Sequence, residues 1–326
     1  MPSRLAGWGL GGLALVAALG LPLVNSEKSV LTDAILVYLA AALALSWNII
    51  GGFAGQVSLG HAAFFGMGSL VTRFLWLDGT PIAISLLAGA AVAGLAAFFL
   101  GYPGLRLKGI YFAIGTLALA EAIRITVGNV FPLVTRLPGE ELRAYDLIAR
   151  YYVFLAVVLV GVAVTVYLQH SRLGLGMMAA REDEDAARAI GTNVFFHKLT
   201  AFVLSAVIAG LAGGSFAFFH VSYYPSYTFS AVWTFDALIV VFVGGIGTLA
   251  GPILGALFFV LVRDVVAAKF VDTHLLIFGT LFVLVVLLFP GGLLEGWHRL
   301  WGWAKTRASS WRQEAGGQPA EGRPLG

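Results

Sequence analysis

Apolar stretches of about twenty residues recur from one end of this sequence to the other, and they limit what the chain can fold into more than any other feature. Candidate spans fall at 5–24, 30–50, 56–77, 81–101, 109–127, 150–169, 198–220, 232–248, 252–268 and 274–290, which makes ten crossings. A hydrocarbon core about 30 Å thick takes about 20 residues of helix. Lipid offers nothing to pair with a bare N–H or C=O, so each span is expected to be helical. Composition agrees: 59% of the 326 residues are hydrophobic and only 11% charged, where soluble domains carry about 25% charged residues. The expectation is an all-α integral membrane protein of about ten transmembrane helices, with a membrane domain over 1–290 and an interfacial, partly disordered tail over 291–326. The first apolar run outlasts the core of a usual signal peptide and is read as a retained span.

The chain contains no cysteine, which excludes disulfides and cysteine-ligated metal sites. Ten crossings put both termini on one side, and the basic residues choose which. With the termini in the cytoplasm, twelve of the twenty Lys and Arg residues lie inside, among them Arg106, Lys108, Arg172, Arg181, Arg188 and Lys198. That bias follows the positive-inside rule and makes 171–197 a cytoplasmic loop. The loop at 128–149 then lies outside, where it is either a solvated connector or a docking surface for an extracytoplasmic partner. Trp297, Trp301 and Trp303 with Arg299, Lys305 and Arg307 suit a segment at the membrane interface.

Two features interrupt the apolar pattern. The segments 48–60 (NIIGGFAGQVSLG) and 244–255 (GGIGTLAGPILG) are dense in glycine and predict helices that break within the membrane, where irregular backbone must be buried in protein or line a cavity. The two runs resemble each other loosely, as two structurally related halves would. The second feature is AREDEDAARAIG, residues 180–191. No glycine or proline occurs between Met177 and Ile190, and Glu184–Arg188 and Arg181–Asp185 are both spaced for helical ion pairs. Gly191 supplies a left-handed stop. One short exposed helix over 177–190 is predicted, with a small face at Ala186 and Ala187 that another protein's backbone can approach.

Asp185-Ala186-Ala187 with Gly191 resembles the EAA…G loop of ABC-importer permeases, with aspartate in place of the usual glutamate. Residues 180–213, 43–69, 106–125 and 240–256 resemble, in order, the corresponding regions of LivM-type permeases of branched-chain amino acid importers. The resemblance implies a permease subunit in a bacterial or archaeal cytoplasmic membrane. It implies as partners a homologous second permease, two ATP-binding subunits and an extracytoplasmic substrate-binding protein. Arg181, Glu182, Asp183, Asp185, Ala186, Ala187 and Gly191 are then expected to form the coupling element that meets the ATPase. The sequence has no G-x-x-x-x-G-K-[ST] phosphate loop, in keeping with ATP hydrolysis on partner subunits. The chain itself is expected to be no enzyme, to bind no cofactor or metal, and to have no nucleic-acid partner.

Polar residues within spans usually face protein or a water-filled path. Asn48, Gln56, Ser58 and His61 have two compatible readings: they repair backbone hydrogen bonds at a break, or they line the translocation path. Glu121 and Arg124 are spaced as an ion pair in the fifth span, with Glu121 also a candidate path residue. Thr234 and Asp236 read as a helix N-cap region or as residues of the outer mouth. Urea or short amides are alternative substrates within the same family. An ion-coupled secondary transporter would need buried acids in mid-span, of which Glu121 is the best placed. An intramembrane enzyme would need a nucleophile with its base or a metal cluster, and the six histidines are scattered singly.

Overall fold

The computed structural model describes residues 2–132 and 135–269, with single positions 279, 280, 283, 287 and 292. In chain order its elements are α1 (Pro2–Val24), α2 (Lys28–Asn48), a π-helical turn (Ile49–Phe53), α3 (His61–Leu77), α4 (Ile82–Gly104) and α5 (Ile110–Val130). There follow β1 (Thr135–Arg136), α6 (Gly139–Arg143), α7 (Leu147–His170), α8 (Arg172–Glu182), α9 (Glu184–Ala189) and α10 (Val194–Phe219). The described part ends with β2 (Ser222–Tyr223), α11 (Pro225–Thr228), α12 (Val232–Gly244) and α13 (Ala250–Lys269).

Among the described residues six segments are long and apolar enough to cross a bilayer: Lys28–Phe53, Ile82–Gly104, Ile110–Val130, Leu147–His170, Val194–Phe219 and Pro225–Gly244. The all-α architecture is as expected, and the count of ten is not reached within this set. The span expected at 56–77 is helical only from His61, because residues 54–60 are unwound; its helix has 17 residues. The last expected span, 274–290, and the tail 291–326 lie outside the described residues, apart from the single positions given above.

Two helices form the centre. In α2 and α10, 72% of the apolar window is buried, against 22% in α5, which therefore runs along the periphery. α10 packs on α3, α4, α2 and α7. Small residues set how near the helices come: a Cβ on Gly68 of α3 would lie 2.2 Å from the Gly210 carbonyl oxygen of α10. Without side chains at the crossing, van der Waals contact between backbones replaces the hydrophobic drive that lipid does not provide. One apolar cluster joins α2, α7, α12 and α13 around Trp47, Tyr151 and Phe154. A second gathers the π turn, α4, α8 and α10 around Phe53, Met177 and Phe202.

Two groups of basic residues lie apart in the fold. At one end Arg73 and Arg150 are buried. Arg73 donates to the carbonyls of Ala217, His220, Thr135 and Val221 at 2.9–3.1 Å, and Arg150 Nε donates to Phe218 O at 3.0 Å. These guanidinium groups satisfy carbonyls that the last turn of α10 leaves without helical partners. Arg73, through Thr135 O, also anchors the two-residue antiparallel ladder, in which Thr135 faces Tyr223 and Arg136 faces Ser222. The opposite end carries α8, α9 and Lys198, with Lys108 near enough to Glu184 to favour its charged form.

Candidate functional site

The acidic stretch folds as two helices, where one was expected over 177–190. Asp183 is extended (φ −156°, ψ 116°) and closes α8, and its carboxylate opens α9 by accepting from the N–H groups of Asp185 and Ala186 at 2.8 and 3.0 Å. An aspartate that caps a helix satisfies orphan donors the preceding helix could not reach. The break changes the pairing. Glu184 meets Arg188 at 3.0 Å, as its spacing predicts, but Asp185 also turns to Arg188, at 2.9 Å. The Arg181–Asp185 pair does not form, because those residues now sit on different helices.

Two backbone N–H groups hold the Asp183 carboxyl below its ordinary range. Burial pushes Glu184 up, but a hydrogen bond from Lys198 and the charges of Lys198, Lys108 and Arg188 outweigh it, so its acidity also increases. α9 ends as foreseen: Gly191 adopts φ +85°, with Gly191 N–H donating to Arg188 O and Thr192 N–H to Ala187 O, both at 2.9 Å. A left-handed residue here suits glycine, which pays no Cβ penalty.

The expected alanine face divides. Ala187 is buried against Ala180 and Val194 and seats α9 on the bundle. Ala186 and Ala189 are exposed, and Ile190 is 79% exposed. The outward apolar surface of α9 is thus Ala186, Ala189 and Ile190, with the exposed Asp185 adjoining it in sequence. Ile190 was not singled out from the sequence, although an isoleucine just before a glycine stop, on a charged helix, was the available signal.

Both glycine-rich segments interrupt their helices as expected, and they meet. Asn48, fully buried at the end of α2, donates to Thr248 O at 2.9 Å and accepts from Gly247 N–H at 2.7 Å. Gly52 permits the approach: a Cβ there would lie 2.2 Å from Asn48 Oδ1 and 2.7 Å from Gly247 N. Arg181 joins the same junction from α8. Its guanidinium donates to Gly52 O at 2.6 Å, pairs with Glu182 at 3.0 Å and leaves 40% of the side chain exposed. A continuous set of contacts therefore runs from the α8–α9 segment through Arg181 to Gly52, Asn48 and Gly247.

The remaining candidates lie along the unwound stretch or apart from it. Gln56, Ser58 and His61 are buried. Trp47 Nε1 donates to Ser58 O at 2.8 Å, and Ser58 Oγ lies 3.2 Å from His61 Nδ1. Leu59 N–H donates to Thr116 Oγ1 at 3.1 Å, and Ala62 N–H to Thr234 Oγ1 at 2.8 Å. Thr234 thus caps the neighbouring α3, where it was expected to cap its own helix, whose N-cap is Ala231. Side chains here take over bonds that an unwound backbone in a membrane would otherwise lack. His61 Nε2 is buried and has no hydrogen-bond partner among the described residues. Glu121 does not join this group: it is bonded to Arg124 Nε at 2.8 Å, in a pair 36% and 43% exposed. Among the described residues no three His, Asp or Glu side chains converge as metal ligands.

Residues 29–286 match the family model for the permease component of branched-chain amino acid transport systems. The high-affinity branched-chain amino acid transport system permease protein LivM of Salmonella typhimurium is 31% identical over 315 residues, covering 86% of this chain and 73% of the relative. LivM of Escherichia coli K12 is 31% identical over 314 residues, with the same coverage. The permease protein LivH of Salmonella typhimurium is 23% identical over 282 residues, 78% of this chain and 90% of the relative. No solved structure matches significantly. The chain belongs to the permease-component family of branched-chain amino acid transport systems.

Proposed function

We propose that this chain is the membrane-spanning permease subunit of an ATP-driven importer of branched-chain or related small amino acids. One observation carries the reading: the exposed α8–α9 segment is joined, through the Arg181–Gly52 and Asn48–Gly247 hydrogen bonds, to both helix breaks. A movement imposed on that segment by a partner reaches backbone that is already unwound. Such a junction has the form of a two-state element, shifting between discrete packings.

In this reading α8 and α9 lie in the cytoplasm, which the distribution of basic residues supports. Ala186, Ala189 and Ile190, with Glu182, Asp183 and Asp185 around them, meet an ATPase subunit, while Arg181 and Gly191 set the position of the helix. The membrane is the cytoplasmic membrane. The likeness to both LivM and LivH supports a pair of homologous permeases, completed by two ATPases and an extracytoplasmic binding protein. Asn48, Gln56, Ser58 and His61 border the path at the break; Glu121, paired at the periphery, is the least placed for that role.

The test is uptake of radiolabelled leucine by the complete complex in proteoliposomes. ATP-dependent uptake that also needs the binding protein is the expected result. Uptake by the permease pair alone, driven by an ion gradient, would overturn the ATP-coupled reading. ATP-driven uptake of urea or a short amide with none of leucine would overturn the substrate.

A further inference from the structure

A cavity of about 240 Å³ lies between α2, α10, α12 and α13, toward the end of the bundle that holds Arg73 and the β1–β2 ladder. It is slightly smaller than the roughly 300–1,000 Å³ of pockets for drug-sized ligands, a scale that suits a single amino acid. Its wall carries Asp236 of α12 and Arg263 of α13. Asp236 is half-buried and makes no hydrogen bond or ion pair among the described residues. Arg263 does not close on it and instead lies 3.6 Å from its neighbour Asp264, with 40% of its side chain exposed. Leu39, Ala40 and Val260 form apolar wall, and Trp233 adds an aromatic surface.

An ionisable side chain within a span is costly unless something balances it. Here two opposite charges line one cavity on different helices without forming an ion pair, and aliphatic side chains line the rest of its wall. We propose that this cavity is a holding site for a zwitterionic amino acid with an aliphatic side chain. Arg263 takes the carboxylate, Asp236 the ammonium, and Leu39 and Val260 the side chain. The proposal rests on the importer reading above and adds to it a place in the permease where substrate pauses after leaving the binding protein. It also sets selectivity: urea, which carries neither charge, gains from neither group.

The experiment uses the complete complex with saturating binding protein and radiolabelled L-leucine. Asp236→Asn and Arg263→Gln are each expected to lower uptake at least about tenfold, the scale of one lost hydrogen bond to a charged group, with Asp236→Glu recovering part of it. Wild-type rates in both neutral variants would overturn the site while leaving the importer reading intact. Absence of leucine uptake by the wild-type complex would overturn the importer reading and the site with it.

A second measurement decides the matter where a charge variant does not assemble. The chain has no cysteine, so Ala40→Cys puts its single thiol in the cavity wall. Leucine, and not urea, is expected to slow labelling of that thiol by a small maleimide in the full complex. Labelling indifferent to leucine would overturn the site.

Discussion

Replacing Asn48 by alanine isolates the contact between the two helix breaks. Asn48 is wholly buried, and its amide forms two bonds, 2.9 Å to Thr248 O and 2.7 Å from Gly247 N–H. Alanine costs nothing in helix propensity, so the loss falls on the partners left behind. A fully buried group deprived of its bond costs about 1–3 kcal/mol; Gly247 and Thr248 are only half-buried, which puts the loss for the pair at about 2 kcal/mol, still a sizeable share of the roughly 5–15 kcal/mol that holds a typical domain together. Denaturant unfolding of the detergent-purified complex reads this directly. The effect should also be coupled to Gly52. A Gly52→Ala change alone puts a methyl 2.2 Å from Asn48 Oδ1, and in the Asn48→Ala background that clash disappears, leaving the approach to Gly247 N. The double-mutant cycle should therefore be non-additive, as contacting residues usually are. A loss below about 0.5 kcal/mol for Asn48→Ala, the range of ordinary surface changes, together with an additive cycle, would refute the claim that Asn48 joins the breaks.

The two faces of α9 should respond differently. Ile190→Ser, at a side chain 79% exposed, should leave unfolding within about 0.5 kcal/mol of wild type yet weaken association with the ATPase subunit in a pull-down titration, whereas Ala187→Leu should destabilise by about 1–3 kcal/mol through overpacking. Acid should spare α9 until low pH. The Asp183 and Glu184 carboxyls are held below their ordinary values of 3.8 and 4.5, so their stabilisation is fully present above those values and is lost only as pH falls through the lower, folded-state values. Hydrogen–deuterium exchange of residues 184–189, corrected for intrinsic rates, should be flat from about pH 7.5 to 5; loosening within that window would contradict the cap and ion-pair assignments.

The six spans found among the described residues were legible because their signal is local: about twenty apolar residues force a helix wherever they occur. Glycine density marked both breaks, and Glu184–Arg188 and Gly191 were readable from spacing. Asp183 was not, because four consecutive acids offer several equivalent caps and only the packing of Ala187 beside Ala180 and Val194 selects one. The Asn48–Gly247 bond joins residues 199 apart in sequence, and Arg181 crosses 129 residues to reach Gly52. No periodicity encodes such partners. Thr234 misled for the same reason, since a hydroxyl near a helix start serves its own helix or an adjacent one equally well.

In the proposed importer Arg181 transmits movement from the α8–α9 segment to the helix breaks. Arg181→Met removes the donor to Gly52 O while keeping much of the side chain's length, and Arg181→Lys keeps one charged donor. The decisive measurement is the number of leucine molecules imported per ATP hydrolysed by the reconstituted complex. Loss of one charge-assisted hydrogen bond, about 1.5–3 kcal/mol, predicts a fall of at least about tenfold for Arg181→Met, with partial recovery for Arg181→Lys. An unchanged ratio in the methionine variant would contradict it.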